Sequence, residues 1–349
     1  MRKLMIRADA NAVIASGHVQ RCLSIADAFD KRDVEVVFIF SDGEAEKVIE
    51  GKGYRTIILE NDYRQKDTEV PDILKLIDRE KADGILVDSY EITDYYISEI
   101  AKRCALAYIA TMREIDFKGN LLINYTQYKK QPYFQQKYGD MARRGFLLQG
   151  EKYVPLRREF QKIPLRKRRR IERILITTGA SDPNDIVEDI LTACTQSEEL
   201  ANLKYTVVVG KYFGNADKLE ELKRAHAQVR LEYDVKNMSE LMKTHDAAIS
   251  AGGTTLFEVC ACGLPTISIA LADNQLTMTE YFKDRGVIPC AGDVRQDRKW
   301  VIANIINQIL YWQNHIGEVN IGIEKMQMLV DGMGAERIAA KLLEMMQKS

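Results

Sequence analysis

The segment from 15 to 29, ASGHVQRCLSIADAF, places His18, one of only four histidines in 349 residues, directly after Gly17. It follows the apolar run LMIRAD by a few residues and then takes on an amphipathic helical rhythm. A histidine there opens the first helix, where the positive end of the helix dipole disfavours imidazolium. A neutral imidazole near pH 7 is what a general base needs. Asp9, upstream in RADANAVIASGH, is placed to orient the ring or the loop, and Arg21, one turn on, to hold Asp9 or a phosphate. The competing reading is a helix-capping histidine without chemistry. His226 lies in a charged helix, His245 precedes a strand and His315 falls in a late helix, so none has comparable surroundings.

A second constellation lies in DAAISAGGTTLFEVCACGLPTISIAL, which reads strand, Gly-Gly turn, helix, Gly-Leu-Pro stop, strand. Gly252 and Gly253 permit positive φ and close backbone approach. Thr254 and Thr255 can cap the helix. Free N–H groups at the helix start, with its dipole, suit a diphosphate. Glu258, one turn in, can accept two hydrogen bonds from a ribose diol. The next strand delivers LADNQ to the same edge, where Asn274 and Gln275 can read sugar hydroxyls or acetamido groups. The plainer alternative is a tight turn with a surface glutamate. A further loop, TTGASDPND, brings Gly179, Ser181 and Asn184 near this edge, either to approach phosphates or to cap a helix at Ser181-Asp182-Pro183.

Such loops need a scaffold, and the rest of the chain supplies one. Apolar runs (KLMIRA, EVVFIF, RTIILE, DGILVD, ALAYIA, NLLIN) alternate with helical patterns, which predicts a parallel sheet covered on both faces. The pattern breaks over 125–170, a polar stretch rich in Tyr and basic residues, and restarts at RILITTG. The fold class is therefore α/β, with two doubly wound, Rossmann-like domains facing across a cleft. The first spans 1–165 and carries the histidine loop; the second spans 171–349 and binds the nucleotide, its last helix free to pack back on the first. Ligands of such sheets bind beyond the carboxyl ends of the strands. The basic run Arg166–Arg170 at the join reads as a solvated linker, or else as a contact for phosphate or acidic lipid.

Composition excludes several classes. A formal net charge of −1 gives no global field towards nucleic acid or membrane, and no apolar run approaches the roughly 20 residues that span a bilayer. The start, MRKLMIRAD, lacks the apolar stretch and cleavage site of a signal peptide. The six cysteines are scattered without a C-x-x-C pair, and read as buried thiols of a reducing cytoplasm. No His, Cys and carboxylate cluster has metal-ligand spacing, so neither a metal nor a cofactor is expected.

The pairing of RADANAVIASGHVQRCLSIA with SAGGTTLFEVCACGLPTISIALADNQ resembles the UDP-sugar hydrolases of pseudaminic acid biosynthesis, relatives of the glycosyltransferase that makes lipid II. The likeness extends to VDSYEIT at Val87–Thr93, LLQGEKYVPLRREF and ITTGASDPND. It implies a GT-B fold and hydrolysis of UDP-2,4-diacetamido-2,4,6-trideoxy-β-L-altrose to free sugar and UDP. Water attacks the anomeric carbon with inversion and no metal takes part. His18 would be the base, with Asp9, Gly17 and Arg21 in the same motif and Tyr90 bordering the sugar. Gly252–Thr255, with Gly179 near, would hold the diphosphate, Glu258 the ribose, and Asn274 and Gln275 the sugar or phosphate edge. One departure is visible: where the family usually carries paired aspartates, this chain has Ala110 and Thr111, with Glu114 and Asp116 shifted. Two alternatives stand beside hydrolysis. One is a GT-B glycosyltransferase in which His18 activates an acceptor hydroxyl; the other is a nucleotide-sugar-binding protein without turnover.

Overall fold

The computed structural model describes every residue except 12, 13, 15, 111–115, 127–130 and 349. Thr111 and Glu114 therefore lie outside the described residues. The chain divides into two compact units, Met1–Arg158 with Gly332–Ser349, and Glu159–Asp331.

Unit 1 is built on seven parallel strands: β1 (Arg2–Ala8), β2 (Val34–Phe40), β3 (Arg55–Ile58), β4 (Gly84–Asp88), β5 (Ala105–Ile109), β6 (Leu121–Asn124) and β7 (Leu147–Gln149). Their order is β3-β2-β1-β4-β5-β6-β7. β4 and β5 are buried at every position, as strands covered by helices on both faces must be. The helices are α1 (Gly17–Asp27), α2 (Gly43–Ile49), α3 (Lys66–Glu80), α4 (Asp94–Ala101), α5 (Gln131–Lys137) and α6 (Gly139–Arg143). The polar stretch after Tyr125 contains α5, α6 and the edge strand β7.

Unit 2 has six parallel strands: β8 (Arg173–Thr177), β9 (Lys204–Val209), β10 (Val229–Tyr233), β11 (Ala247–Ala251), β12 (Thr266–Ala270) and β13 (Cys290–Asp293). Their order is β10-β9-β8-β11-β12-β13. Its helices are α7 (Ile186–Gln196), α8 (Ala216–Ala225), α9 (Met238–Lys243), α10 (Thr255–Cys262), α11 (Asp273–Asp284), α12 (Arg298–Asn314) and α13 (Ile316–Leu329). The chain then returns to unit 1 as α14 (Gly334–Lys348). A Cβ at Gly84 would sit 2.9 Å from Met346 Cγ, so the absent side chain lets α14 lie directly on β4.

The basic run does not behave as a solvated linker throughout. Arg168 is 4% exposed. It donates to the carbonyls of Asp246 and Gly263, and Asn320 bonds both its N–H and its C=O. Burial, then the like charge of Arg166, push its guanidinium down to about 10. Its four neighbours in the run stay exposed.

Candidate functional site

Each sheet has one point where the strand order reverses, between β1 and β4 in unit 1 and between β8 and β11 in unit 2. Crevices beyond the strands' carboxyl ends form at such points. The histidine loop follows β1, and the two glycine-containing loops follow β8 and β11.

His18 is the second residue of α1 and is 3% exposed. Its Nδ1 lies 2.7 Å from Oδ1 of Asp88, the fully buried last residue of β4. A carboxylate at that distance accepts a proton carried by Nδ1, so Nδ1–H is the donor and Nε2 is the ring nitrogen left for chemistry. Nε2 is buried and has no hydrogen-bond partner. The Tyr90 ring meets the imidazole edge-on, with centroids 4.4 Å apart. His18, Asp9, Asp88 and Tyr90 line a cavity of about 20 Å³ with Ile14, Tyr63, Ser89 and Glu91. That is room for one water molecule.

Arg21 spans both oxygens of Asp88 through Nε and Nη2. Burial alone would raise the Asp88 carboxyl, but Arg21 and then His18 outweigh it and hold the group well below the usual carboxylate range. Arg21 is thus committed to Asp88, not to Asp9. Asp9 in turn is enclosed in a separate network. Its Oδ1 accepts from Arg7 Nη1 at 2.7 Å and the Ser41 amide at 2.8 Å, and its Oδ2 from Lys66 Nζ at 2.5 Å. Arg7 also forms a fork on Glu69, which Tyr96 and Asn61 bond as well. Asp9 therefore anchors the loop after β2 and borders the cavity, while Asp88 orients the ring. Gly17 has open space where a Cβ would stand. Ala110, just past β5, is buried, and Asp116 is exposed.

Asp88 entered the sequence reading only as the last letter of DGILVD and the second of VDSYEIT. Its signal was available: a carboxylate closing an apolar strand, DGILVD, with an arginine and a histidine three residues apart on the first helix. Arg7 gave a similar signal, a charge inside the apolar run of β1 that burial obliges to find partners.

In unit 2, neither glycine of the Gly-Gly turn adopts positive φ. Gly252 is required for close approach: a Cβ there would meet Thr279 Cγ2 at 2.6 Å and the Gln275 carbonyl at 2.8 Å. Gly253 has open space. Thr254 stands at the N-cap of α10 without a side-chain cap bond. The amides of Gly252, Gly253, Leu256 and Phe257 bond backbone carbonyls. Among the described residues, that leaves the Thr254 and Thr255 amides as the donors open to an anion. Glu258 is half-buried on α10. Asn274 and Gln275 sit in the first turn of α11. Asn274 is exposed, whereas Gln275 turns its Oε1 back onto the Leu271 amide at 2.9 Å. Gly179 has φ +91°, so glycine is favoured there. The loop after β9 seats on it, with Tyr212 N–H donating to the Ala180 carbonyl at 2.9 Å. Asp182 caps α7 by accepting from the Ile186 and Val187 amides, and Ser181 and Asn184 are half-buried beside it. Among the described residues, no group of three or more His, Cys, Asp or Glu side chains is arranged to hold a metal ion. Among the described residues, no helix is long and apolar enough to cross a membrane.

Residues 173–288 match the glycosyltransferase family 28 C-terminal domain. The chain is 28% identical over 295 residues to an uncharacterized protein of Methanocaldococcus jannaschii, covering 80% of this chain but 57% of that relative. It is 24% identical over 289 residues to the spore coat polysaccharide biosynthesis protein SpsG of Bacillus subtilis, covering 80% of this chain and 81% of SpsG. Among solved structures, MurG of Acinetobacter baumannii superposes with a TM-score of 0.65 at 11% identity over the whole of both chains. Two doubly wound units of this kind define the GT-B fold. The chain is glycosyltransferase-like, its second unit matching the family 28 domain over the β8–α11 region.

Proposed function

We propose that the protein is a nucleotide-sugar hydrolase that splits a UDP-linked diacetamido-trideoxy sugar into free sugar and UDP, in nonulosonic (pseudaminic-type) acid biosynthesis. The observation behind hydrolysis is the pairing of an oriented, buried imidazole with a cavity of about 20 Å³, room for one water. Uridine and the diacetamido sugar rest on the resemblance of the two motifs.

His18 Nε2 takes a proton from the water as its oxygen bonds to the anomeric carbon. The bond from that carbon to the phosphate oxygen breaks, and its electron pair leaves with UDP. Inversion follows from attack opposite the leaving group. The Thr254 and Thr255 amides receive the diphosphate, with Gly253 and Gly179 letting it approach the backbone and Gly252 seating the turn against α11. Preorganised donors stabilise the charge developing there. Glu258 holds the ribose, Asn274 and Gln275 the sugar edge, and Tyr90 borders the sugar beside His18. With Oε1 held by the Leu271 amide, Gln275 offers its Nε2 to the sugar.

Incubation with UDP-diacetamido-sugar isomers alone tests this reading, with UDP release and product stereochemistry followed by NMR and solvent ¹⁸O traced into the sugar. Release without acceptor and one ¹⁸O per sugar are expected. The match to a glycosyltransferase domain favours a second reading, transfer to an acceptor hydroxyl. Release only when an acceptor is added would establish it and overturn hydrolysis, and tight binding without release would leave a binding protein.

A further inference from the structure

We infer that Arg21 is a positioning residue whose charge keeps His18 neutral while Asp88 holds the ring in place. The inference rests on His18 acting as a base, and it follows from three geometries. First, Asp88 has two effects on the imidazole 2.7 Å away. It accepts the Nδ1 proton, which aims Nε2, and as an anion it attracts a second proton onto Nε2, which would abolish the base. Second, Asp88 is wholly buried, so water does not screen the second effect. Third, Arg21 covers both carboxylate oxygens and brings Nη2 to 2.9 Å from Nδ1. Its positive charge cancels the anion as felt at the ring and disfavours a second proton on Nε2, while Oδ1, which accepts from Nη2, accepts from Nδ1 as well. With neutral histidine the trio carries no net charge.

The surroundings do not take over this task. On α1, Cys22 Sγ lies 3.6 Å from Asp88 Oδ2, and burial pushes its thiol well up, so it adds no charge. Tyr90, Tyr63 and Glu91 line the cavity from the loops after β4 and before α3, Glu91 partly exposed to water. Asp9 lines it from the loop after β1, its charge met by Arg7 and Lys66. Tyr125, after β6, faces Arg21 as a neutral phenol. No other cation is recorded on Asp88 among the described residues.

The test is an NMR titration of the ring signals without substrate. The four histidines are distinguished by comparison with His18→Gln. In Arg21→Met, His18 should take up its second proton ~1 pH unit or more higher than in the parent. Arg21→Lys, which restores the charge, should return most of that shift. If Arg21→Met does not fold by circular dichroism, Arg21→Gln keeps a donor towards Asp88, loses only the charge, and should shift the same way. An unchanged or lowered midpoint in a folded variant overturns the inference. Because no nucleotide is present, this readout is independent of whether UDP-sugars are substrates. Where turnover is measured, the acid limb of the kcat profile should move up in step, with KM little altered.

Discussion

Asp88 Oδ1 and His18 Nδ1 lie 2.7 Å apart where β1 and β4 run side by side, with Ala8 opposite Asp88 in register. The pair joins the end of one strand to the start of the helix that follows its neighbour. It thus ties a side chain on a loop-borne helix start to a fully buried strand at the middle of the unit 1 sheet. That anchoring is what a general base needs, because the ring cannot turn away from the cavity without breaking a buried bond.

The first prediction follows from that bond. In Asp88→Asn the carboxamide can present its NH₂ to Nδ1, moving the ring proton to Nε2. The base is then lost although the shape is kept. Turnover should fall by roughly 10²- to 10⁴-fold, the contribution of general base catalysis, while KM stays within about threefold. Steady-state kinetics check this, and ¹⁵N ring shifts report the tautomer directly. An unchanged kcat would mean that the pair is structural.

His18→Ala removes the base itself, and UDP release should drop by roughly 10²-fold or more. Binding of UDP, measured by calorimetry, should stay close to that of the parent. The two readouts separate loss of chemistry from loss of the nucleotide grip.

The Asp9 network sets the acid limit of stability. Burial works to raise both Asp9 and Glu69, but Arg7 above all, with Lys66, outweighs it and lowers both. A carboxylate with a depressed folded value contributes stability that is full above the unfolded range near pH 4 and lost as pH falls through the folded value. Unfolding free energy from urea titrations should therefore decline steadily from about pH 5 towards pH 2. Asp9→Asn should flatten that slope and cost ~3 kcal/mol at pH 7, because Arg7 and Lys66 are then left to share the buried carboxylate of Glu69.

The doubly wound architecture was legible because buried parallel strands leave uninterrupted apolar runs, and LMIRA, EVVFIF and GILVD each became one. The histidine was legible from its place after β1. Its orienting partner was not, because Asp88 is 70 residues away and only the β1–β4 pairing brings it near. Asp9 drew attention for being close in sequence, whereas Lys66, a long side chain from α3, claims it in space. The Gly-Gly pair was read for positive φ and for close backbone approach; neither glycine takes positive φ, and at Gly252 the close approach is to α11. Burial of Arg168 was illegible, since a run of five basic residues gives no hint that one of them finds carbonyl acceptors.

Gly252 and Gly253 give the last prediction, as adjacent residues with opposite expectations. A methyl group on Gly252 would press on Thr279 Cγ2 at 2.6 Å and on the Gln275 carbonyl at 2.8 Å. The second contact is backbone, so α11 must shift rather than a flexible side chain. Overpacking of that kind costs ~1–3 kcal/mol. The shift also displaces Asn274 and Gln275, so UDP-sugar affinity should fall with stability. Gly253 has no atom within 4 Å of a Cβ and no positive φ, so Gly253→Ala should leave the melting temperature close to that of the parent. Its methyl group would nonetheless stand beside the Thr254 amide. If the diphosphate seats there, Gly253→Ala weakens UDP binding without loss of stability. Calorimetry and thermal melts on the two variants therefore separate a packing role at Gly252 from a ligand-contact role at Gly253, and full UDP affinity in Gly253→Ala would move the diphosphate away from this loop.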